Sequence, residues 1–429
     1  MNDILIPFLK GIFNLSHAQA MVIQFSFFGA YFIGSLIYFI ISAIWSDPIN
    51  KIGYKNGIVI GLFLAACGTG LFYPAAKIIS YGMFLSGLFL LGIGFTLLQI
   101  SANPYVAIIG KPESASSRLN LAQGFNSLGT TLAPLIGGYL FFKLLTGKAY
   151  QNADALIIPY LSFSSMFIAL GIFFLIIKLP DYKETISHEK WNIAQYPQLI
   201  WGIIAIFMYV GSEVSVGSML ISFLKQPTIG NMNEYDASKY VSLYWSGLMF
   251  GRFLGSFLLN EERKQKNYIG VIITIILGWF WLWYIHSLKL ASTYMIFVLV
   301  CALILWKAKN AHCSLAYFSV INVFLLLMVI QSSSIVAIWS VVLIGLFNSI
   351  MWSNIFTLAI DGLGIHTSKA SSLLVMAIVG GAILPLLMGV IADYTDVQHS
   401  FVVPLFGFTY IVFYGFIGYK KKQNINNLK

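Results

Sequence analysis

Tyr209-Val210-Gly211-Ser212-Glu213-Val214-Ser215-Val216-Gly217 sets an acid in the middle of an apolar run that extends over about 198–224. A run of that length crosses the roughly 30 Å hydrocarbon core as an α-helix rising 1.5 Å per residue. A second acid, Asp3 in Asn2-Asp3-Ile4-Leu5-Ile6-Pro7, stands among similarly apolar neighbours. An ionisable group at the bilayer centre costs about 2.5–3.5 kcal/mol on insertion scales, so by default it marks an ion or proton pathway. The plainer alternative for Glu213 is a charge facing a water-filled vestibule without a role. For Asp3 it is a solvated residue at the start of the chain.

The whole chain agrees with a membrane setting. Of 429 residues, 59% are hydrophobic and 9% charged, and the mean hydropathy is +0.83. A soluble protein carries about 25% charged residues. The class expected is an all-α polytopic membrane protein. A β-barrel would alternate apolar and polar residues instead of running apolar for about 20. Cys67, Cys301 and Cys313 show no CxxC spacing and read as small packing residues. No cleavable signal peptide is recognised. The net charge of +10 and pI of 9.3 invite a nucleic-acid reading, but the basic residues lie in loops between spans, where the positive-inside rule accounts for them.

Thirteen runs are long enough to span: 19–45, 57–76, 81–109, 119–146, 156–178, 198–224, 240–260, 268–286, 291–306, 315–331, 334–361, 371–392 and 401–419. A fragment before them, Ile4–Phe13, is broken by Pro7 and Lys10 and is too short to span. The longest polar stretch, Pro180 to Lys190, reads as a cytoplasmic linker over 180–197 between an N-terminal bundle, 1–179, and a C-terminal bundle, 198–429. With that linker inside, alternation puts 17 basic residues in inside loops and 7 in outside loops, and the C-terminus is cytoplasmic.

A shift of 251 residues aligns Asn103 with Asn354, Arg118 with Lys369, Gly129 with Gly380, Pro134 with Pro385 and Gly138 with Gly389. Helix-breaking and close-packing positions repeat, as two homologous transporter halves would leave them. Gly129 with Pro134, and Gly380 and Gly381 with Pro385, mark bendable helices in corresponding places. Gly247, Gly251 and Gly255 form a GxxxGxxxG packing face. Beside it, Arg252 is expected near a cytoplasmic helix end, paired with a carboxylate or carbonyl.

Amides form stripes inside two of the apolar helices. Thr96, Gln99 and Asn103 share one helix face, and so do Asn120, Gln123, Ser127 and Thr130, with Asn126 alongside. Amides in hydrocarbon need partners. A sugar hydroxyl both donates and accepts, and an amide can serve both roles. The plainer alternative is hydrogen bonding between helices, at about 1 kcal/mol or less per contact. Trp245, Trp352 and Tyr244 read either as stacking platforms for a sugar ring or as core and lipid contacts. The chain contains no GxxxxGK[ST], HExxH or GxSxG, so nothing supports ATP-driven transport or a membrane enzyme. No metal or cofactor is expected.

Ala102-Asn103-Pro104-Tyr105-Val106-Ala107, Ser116 to Thr131, Tyr209 to Val214, Gly345-Leu346-Phe347-Asn348-Ser349-Ile350-Met351 and Met376 to Ala382 closely resemble the fucose–galactose–glucose branch of the major facilitator superfamily. Within it the chain looks most like bacterial glucose/galactose transporters, and the resemblance covers nearly the whole length. It implies two six-helix bundles around a central cavity, and movement of a hexose with a proton. It also implies that Asp3 matches the family's first-helix aspartate. Gln99 stands where fucose-type members carry a glutamate, and a glutamine cannot titrate. Asp3 and Glu213 are then the proton-coupling candidates. Gln99, Asn103, Gln123, Asn126 and Asn348 are the candidate sugar contacts.

Three departures from the family pattern are expected to have consequences. Family members carry a longer first helix before the Asn-Asp motif, which leaves a truncated, non-transporting remnant or sugar sensor as the rival reading. Residues about 267–306 look like an inserted pair of crossings, which preserves the orientation downstream. The stretch 37–50 lacks the usual glycine-containing turn and keeps only Lys51-Ile52-Gly53-Tyr54-Lys55, and Met351-Trp352-Ser353-Asn354 lacks the usual proline. The function expected is import of a neutral hexose such as glucose or galactose, with protons, by a monomer in the inner membrane. Fucose or another sugar, and sodium in place of the proton, are the alternatives.

Overall fold

A computed structural model describes residues 2–44, 48–109, 115–140, 153–180, 193–258, 264–308, 311–363 and 367–420. The expected linker falls largely outside these residues. Among them the regular structure is helical. In chain order the helices are α1 (Asn2–Phe13), α2 (His17–Ile44), α3 (Tyr54–Gly70, carried on by Phe72–Lys77), α4 (Tyr81–Ile108), α5 (Ala115–Gly138), α6 (Ile157–Ile176) and α7 (Pro197–Leu224). There follow α8 (Glu234–Leu258), α9 (Lys264–Ile285), α10 (Leu288–Lys307), α11 (Ala311–Gln331), α12 (Ser334–Asn348, carried on by Met351–Ile360), α13 (Gly380–Tyr394) and α14 (Val402–Phe413).

Eleven helical stretches among the described residues are long and apolar enough to cross a membrane. α5 and α8, expected as spans, fall outside that set because they are too polar for it. α5 carries Gln123, Asn126, Ser127, Thr130 and Thr131, and α8 carries Glu234, Asp236, Lys239 and Arg252. The two pack along each other. Ser242 Oγ donates to the Thr131 carbonyl at 2.7 Å, and an Arg252 guanidinium nitrogen to Ser127 Oγ at 2.5 Å. Hydrocarbon leaves a polar group without a partner, so the two polar helices satisfy one another.

Helices α2 to α6 pack as one group and α7 to α14 as another, and the groups meet along two antiparallel pairs, α5 with α8 and α2 with α13. α1 lies between them, against α2, α5, α7 and α8, with Ile4, Leu5 and Leu9 fully buried. Its 12 residues reach only about 18 Å.

The α2–α13 seam is tight. A Cβ on Gly389 would come within 2.9 Å of the His17 carbonyl, and one on Gly381 within 3.1 Å of the Phe28 ring. Asp393 closes one end of it, accepting the backbone N–H groups of His17 and Ala18, each at 2.7 Å. These are orphan donors of the first turn of α2, and a carboxylate there also complements the helix dipole. The Lys10 ammonium lies 2.9 Å from His17 Nε2 at the same corner.

The expected extra pair forms as α9 and α10, a helical hairpin packed on α8, with α10 also reaching α12. α9 is exposed around most of its surface, with Ile269 at 65% and Tyr284 at 88%, as a lipid-facing helix at the edge of the molecule should be. The glycine face of α8 packs inward: Gly247 abuts the backbone of Leu346 and Gly251 abuts Ser349.

Replacing Asp393 with Ala removes both acceptors from the start of α2. The expected loss is about 1–2 kcal/mol of stability, read as a lower thermal unfolding midpoint in detergent. Asp393→Asn should lose less, because its amide oxygen still accepts.

Candidate functional site

Glu213 sits on α7 about 16 Å along the helix from its Leu224 end, near mid-depth. It is 8% exposed, and its Oε1 finds no hydrogen-bond partner among the described residues. Arg252, Asp3 and the Tyr209 hydroxyl are the polar groups that act on its carboxylate. The Tyr244 hydroxyl donates to the Glu213 carbonyl at 3.1 Å, and the Tyr209 hydroxyl to the Asn348 carbonyl at 3.1 Å. Tyr209 and Tyr244 are wholly buried. Tyr244 is therefore a hydrogen-bonding wall of the acid's surroundings and not an open stacking face.

Asp3 lies in the same region and is 7% exposed. Trp245 Nε1 donates to its Oδ2 at 2.9 Å, while Gln24 Nε2 and Ser218 Oγ face its Oδ1 at 3.4 Å each. The solvated reading of Asp3 is thus replaced by a buried, bonded carboxylate. The structure brings Asp3 and Glu213, about 210 positions apart in sequence, into one electrostatic neighbourhood between the two helix groups.

The amides divide into two kinds. Asn348 is fully buried, and both ends of its amide are taken. Nδ2 donates to the Tyr244 hydroxyl at 3.0 Å, and Oδ1 accepts from Asn322 at 2.8 Å. The others keep accessible surface. Gln99, partly buried, donates to the Tyr31 hydroxyl at 3.3 Å, and Asn103 is likewise partly buried on α4. Asn126 is exposed and reaches Gln123 Oε1 at 3.4 Å. Arg252 pairs with carbonyls, as one of its two expected partners: its Nε donates to Ser349 at 3.3 Å. The same guanidinium contacts Ser127 of α5, so it also bridges the helix groups.

Gly129 is exposed, with open space where a side chain would go, and Pro134 is buried inside α5. Gly380 follows a short 3₁₀ turn, Ala377–Val379, and packs against the Phe207 backbone; Pro385 lies inside α13. That turn joins α13 to a further helix, Thr367–Met376, so the pitch changes just before Gly380, and the glycines also allow close approach to α7 and α2.

Sequence reading missed Gln24, Ser218 and Asn322 as members of these networks. Gln24 carried a signal of the same kind as Gln99, an amide in an apolar run. Asn322 carried it too, and Ser218 carried none, since one serine in an apolar helix is ordinary.

Two helix groups that meet along paired helices, with acids and amides at their junction, have the build of a membrane transporter, in which a central site can be exposed to either side. A profile of the Major Facilitator Superfamily matches residues 1–309. The chain belongs to that superfamily, and it is a multi-pass membrane transporter rather than an enzyme. It is 43% identical over 425 residues to the glucose/galactose transporter of Brucella abortus, covering 98% of this chain and 90% of that one. It is 28% identical over 418 residues to the L-fucose-proton symporter of Escherichia coli K12, covering 92% and 83%. The crystal structure of FucP in the outward conformation superposes with a TM-score of 0.66 at 27% identity, covering 96% of this chain and 93% of that one.

The two kinds of amide should separate by mutation. Asn348→Ala strands the amide of Asn322 and takes one of two partners from the Tyr244 hydroxyl, an expected cost of about 1–3 kcal/mol in thermal stability. Asn126→Ala should stay within about 0.5 kcal/mol of wild type, as an exposed side chain does.

Proposed function

We propose that this protein is a proton-coupled symporter that imports a neutral hexose, glucose or galactose, across the inner membrane. The observation that carries the reading is the buried acid pair at the junction of the two helix groups. Glu213 keeps one carboxylate oxygen unpaired at mid-depth, and Asp3 lies in its field. An acid left under-bonded at mid-depth is by default part of an ion or proton pathway. The names of the Brucella and Escherichia relatives support the substrate class and the coupling ion.

In this mechanism Glu213, with Asp3, takes up a proton from the outer side. Gln99, Asn103, Gln123 and Asn126 offer amide donors and acceptors to the sugar hydroxyls. Asn348 belongs to the sugar site through Tyr244 and Tyr209, which it holds in place beside Glu213. The halves 1–179 and 198–429, joined through 180–197, then rock, with bending at Gly129, Pro134, Gly380, Gly381 and Pro385, and both ligands leave inside. Binding of proton and sugar shifts the equilibrium by the difference in their affinity for the two states. The protein acts as a monomer with its C-terminus in the cytoplasm.

Reconstituted into proteoliposomes, the wild type should accumulate glucose or galactose when an inward proton gradient is imposed, in the absence of sodium. Glu213→Gln should lose accumulation while retaining sugar counterflow. Accumulation by that variant equal to wild type would remove Glu213 from the coupling role, and accumulation only with sodium would replace the ion.

A further inference from the structure

The Asp3 carboxylate is gripped from both helix groups at once. Trp245 on α8 and Ser218 on α7 reach it from the C-terminal side, and Gln24 on α2 reaches it from the N-terminal side. The donors are themselves linked. Gln24 Nε2 lies 2.8 Å from Ser218 Oγ, and Gln24 Oε1 accepts from Asn2 at 3.1 Å. Gln24 and Ser218 are buried to within 2%. Gly217 clears the approach of the indole: a Cβ there would meet the Trp245 ring at 3.1 Å and Asp3 Oδ2 at 3.6 Å.

Trp245 is out of place by the usual rule. Tryptophans of membrane proteins collect at the interfaces, where the ring is in lipid and the N–H is wet. This one lies about 16 Å along α8 from its Glu234 end, and its N–H must find an acceptor inside. An indole nitrogen only donates, and an ionised carboxylate only accepts, so the pair is directional. Hydrogen bonds to a charged acceptor are about twice as strong as neutral ones, so this contact is strongest with Asp3 ionised. The charged and titratable groups of the described residues acting on Asp3 are Glu213 on α7 and Tyr244 on α8; Gln24 on α2 adds no charge.

We propose that Trp245 and Gln24 are positioning residues that hold the Asp3 carboxylate as a tie between the two helix bundles, a tie that has to release before they part at this point. The inference rests on the transport reading above and extends it from the acid to the donors that aim it. Trp245 thereby takes a role in coupling that neither sugar stacking nor lipid contact supplies.

The test compares wild type with Trp245→Phe, Asp3→Asn, the double variant, Gln24→Ala and Trp245→His, with Trp283→Phe on the lipid-facing α9 as control. Amide hydrogen exchange of the purified full chain without sugar is read over residues 17–30 and 213–224. Trp245→Phe and Asp3→Asn should each raise exchange there about threefold to tenfold. The double variant should stay within about twofold of the larger single effect, as members of one contact do. Gln24→Ala should raise exchange in the same segments, and Trp245→His, which keeps a ring N–H, should restore it to within about twofold of wild type. In proteoliposomes Trp245→Phe should keep glucose counterflow within about twofold while accumulation falls at least fivefold. Effects that multiply in the double variant, or counterflow and accumulation falling together, would overturn the tie. If wild type moves neither glucose nor galactose, the transport reading fails, and the exchange measurements still decide whether the tie exists.

Discussion

Hydrocarbon offers no partner to a polar atom, and the placement of this protein's polar side chains follows from that constraint. The two most polar long helices, α5 and α8, lie against each other. Ser242 bonds to the Thr131 carbonyl, and Arg252 reaches Ser127 on one side and the Ser349 carbonyl on the other. Two apolar helices, α6 and α9, stand at the edge with most of their surface bare. Hydrophobic drive between helices is weak in lipid, so packing and hydrogen bonds decide which helix lies where. The junction between the two bundles is thus the place where this chain concentrates its polar groups.

That concentration leaves several atoms incompletely served: Glu213 Oε1, Thr131 Oγ1, Ser246 Oγ and Ser349 Oγ find no partner among the described residues. Other buried polar side chains have found each other, as the Asn348 amide has with Asn322 and Tyr244. Glu213 has two tyrosines and an arginine around it and still keeps an oxygen unpaired. A fully satisfied network would fix the two bundles in a single arrangement. A site that must serve more than one state gains from leaving its central acid under-bonded, because a fully bonded acid would have more to lose on rearrangement.

The class of the fold could be read from run length and charge, because a span needs about 20 apolar residues whatever its neighbours are. The extra hairpin was legible in the same way, as two more runs between 267 and 306, and both form helices. The acids too announced themselves, since an acid in such a run is exceptional. The partners did not. Whether an amide faces a cavity or another helix depends on rotation about the helix axis, and a run apolar on all sides gives no moment to fix it. Asn348 and Asn126 looked alike in sequence, yet one is sealed by Asn322 and the other is bare. The bond from Trp245 to Asp3 links positions 242 apart, and nothing local encodes it.

The α9–α10 hairpin leans only on one bundle, touching α8 and α12 and leaving the other bundle alone. It widens the lipid-covered perimeter of that bundle without adding to the junction. In the rocking proposed above, the two bodies would therefore displace unequal numbers of lipids, and the broader one would meet more viscous drag.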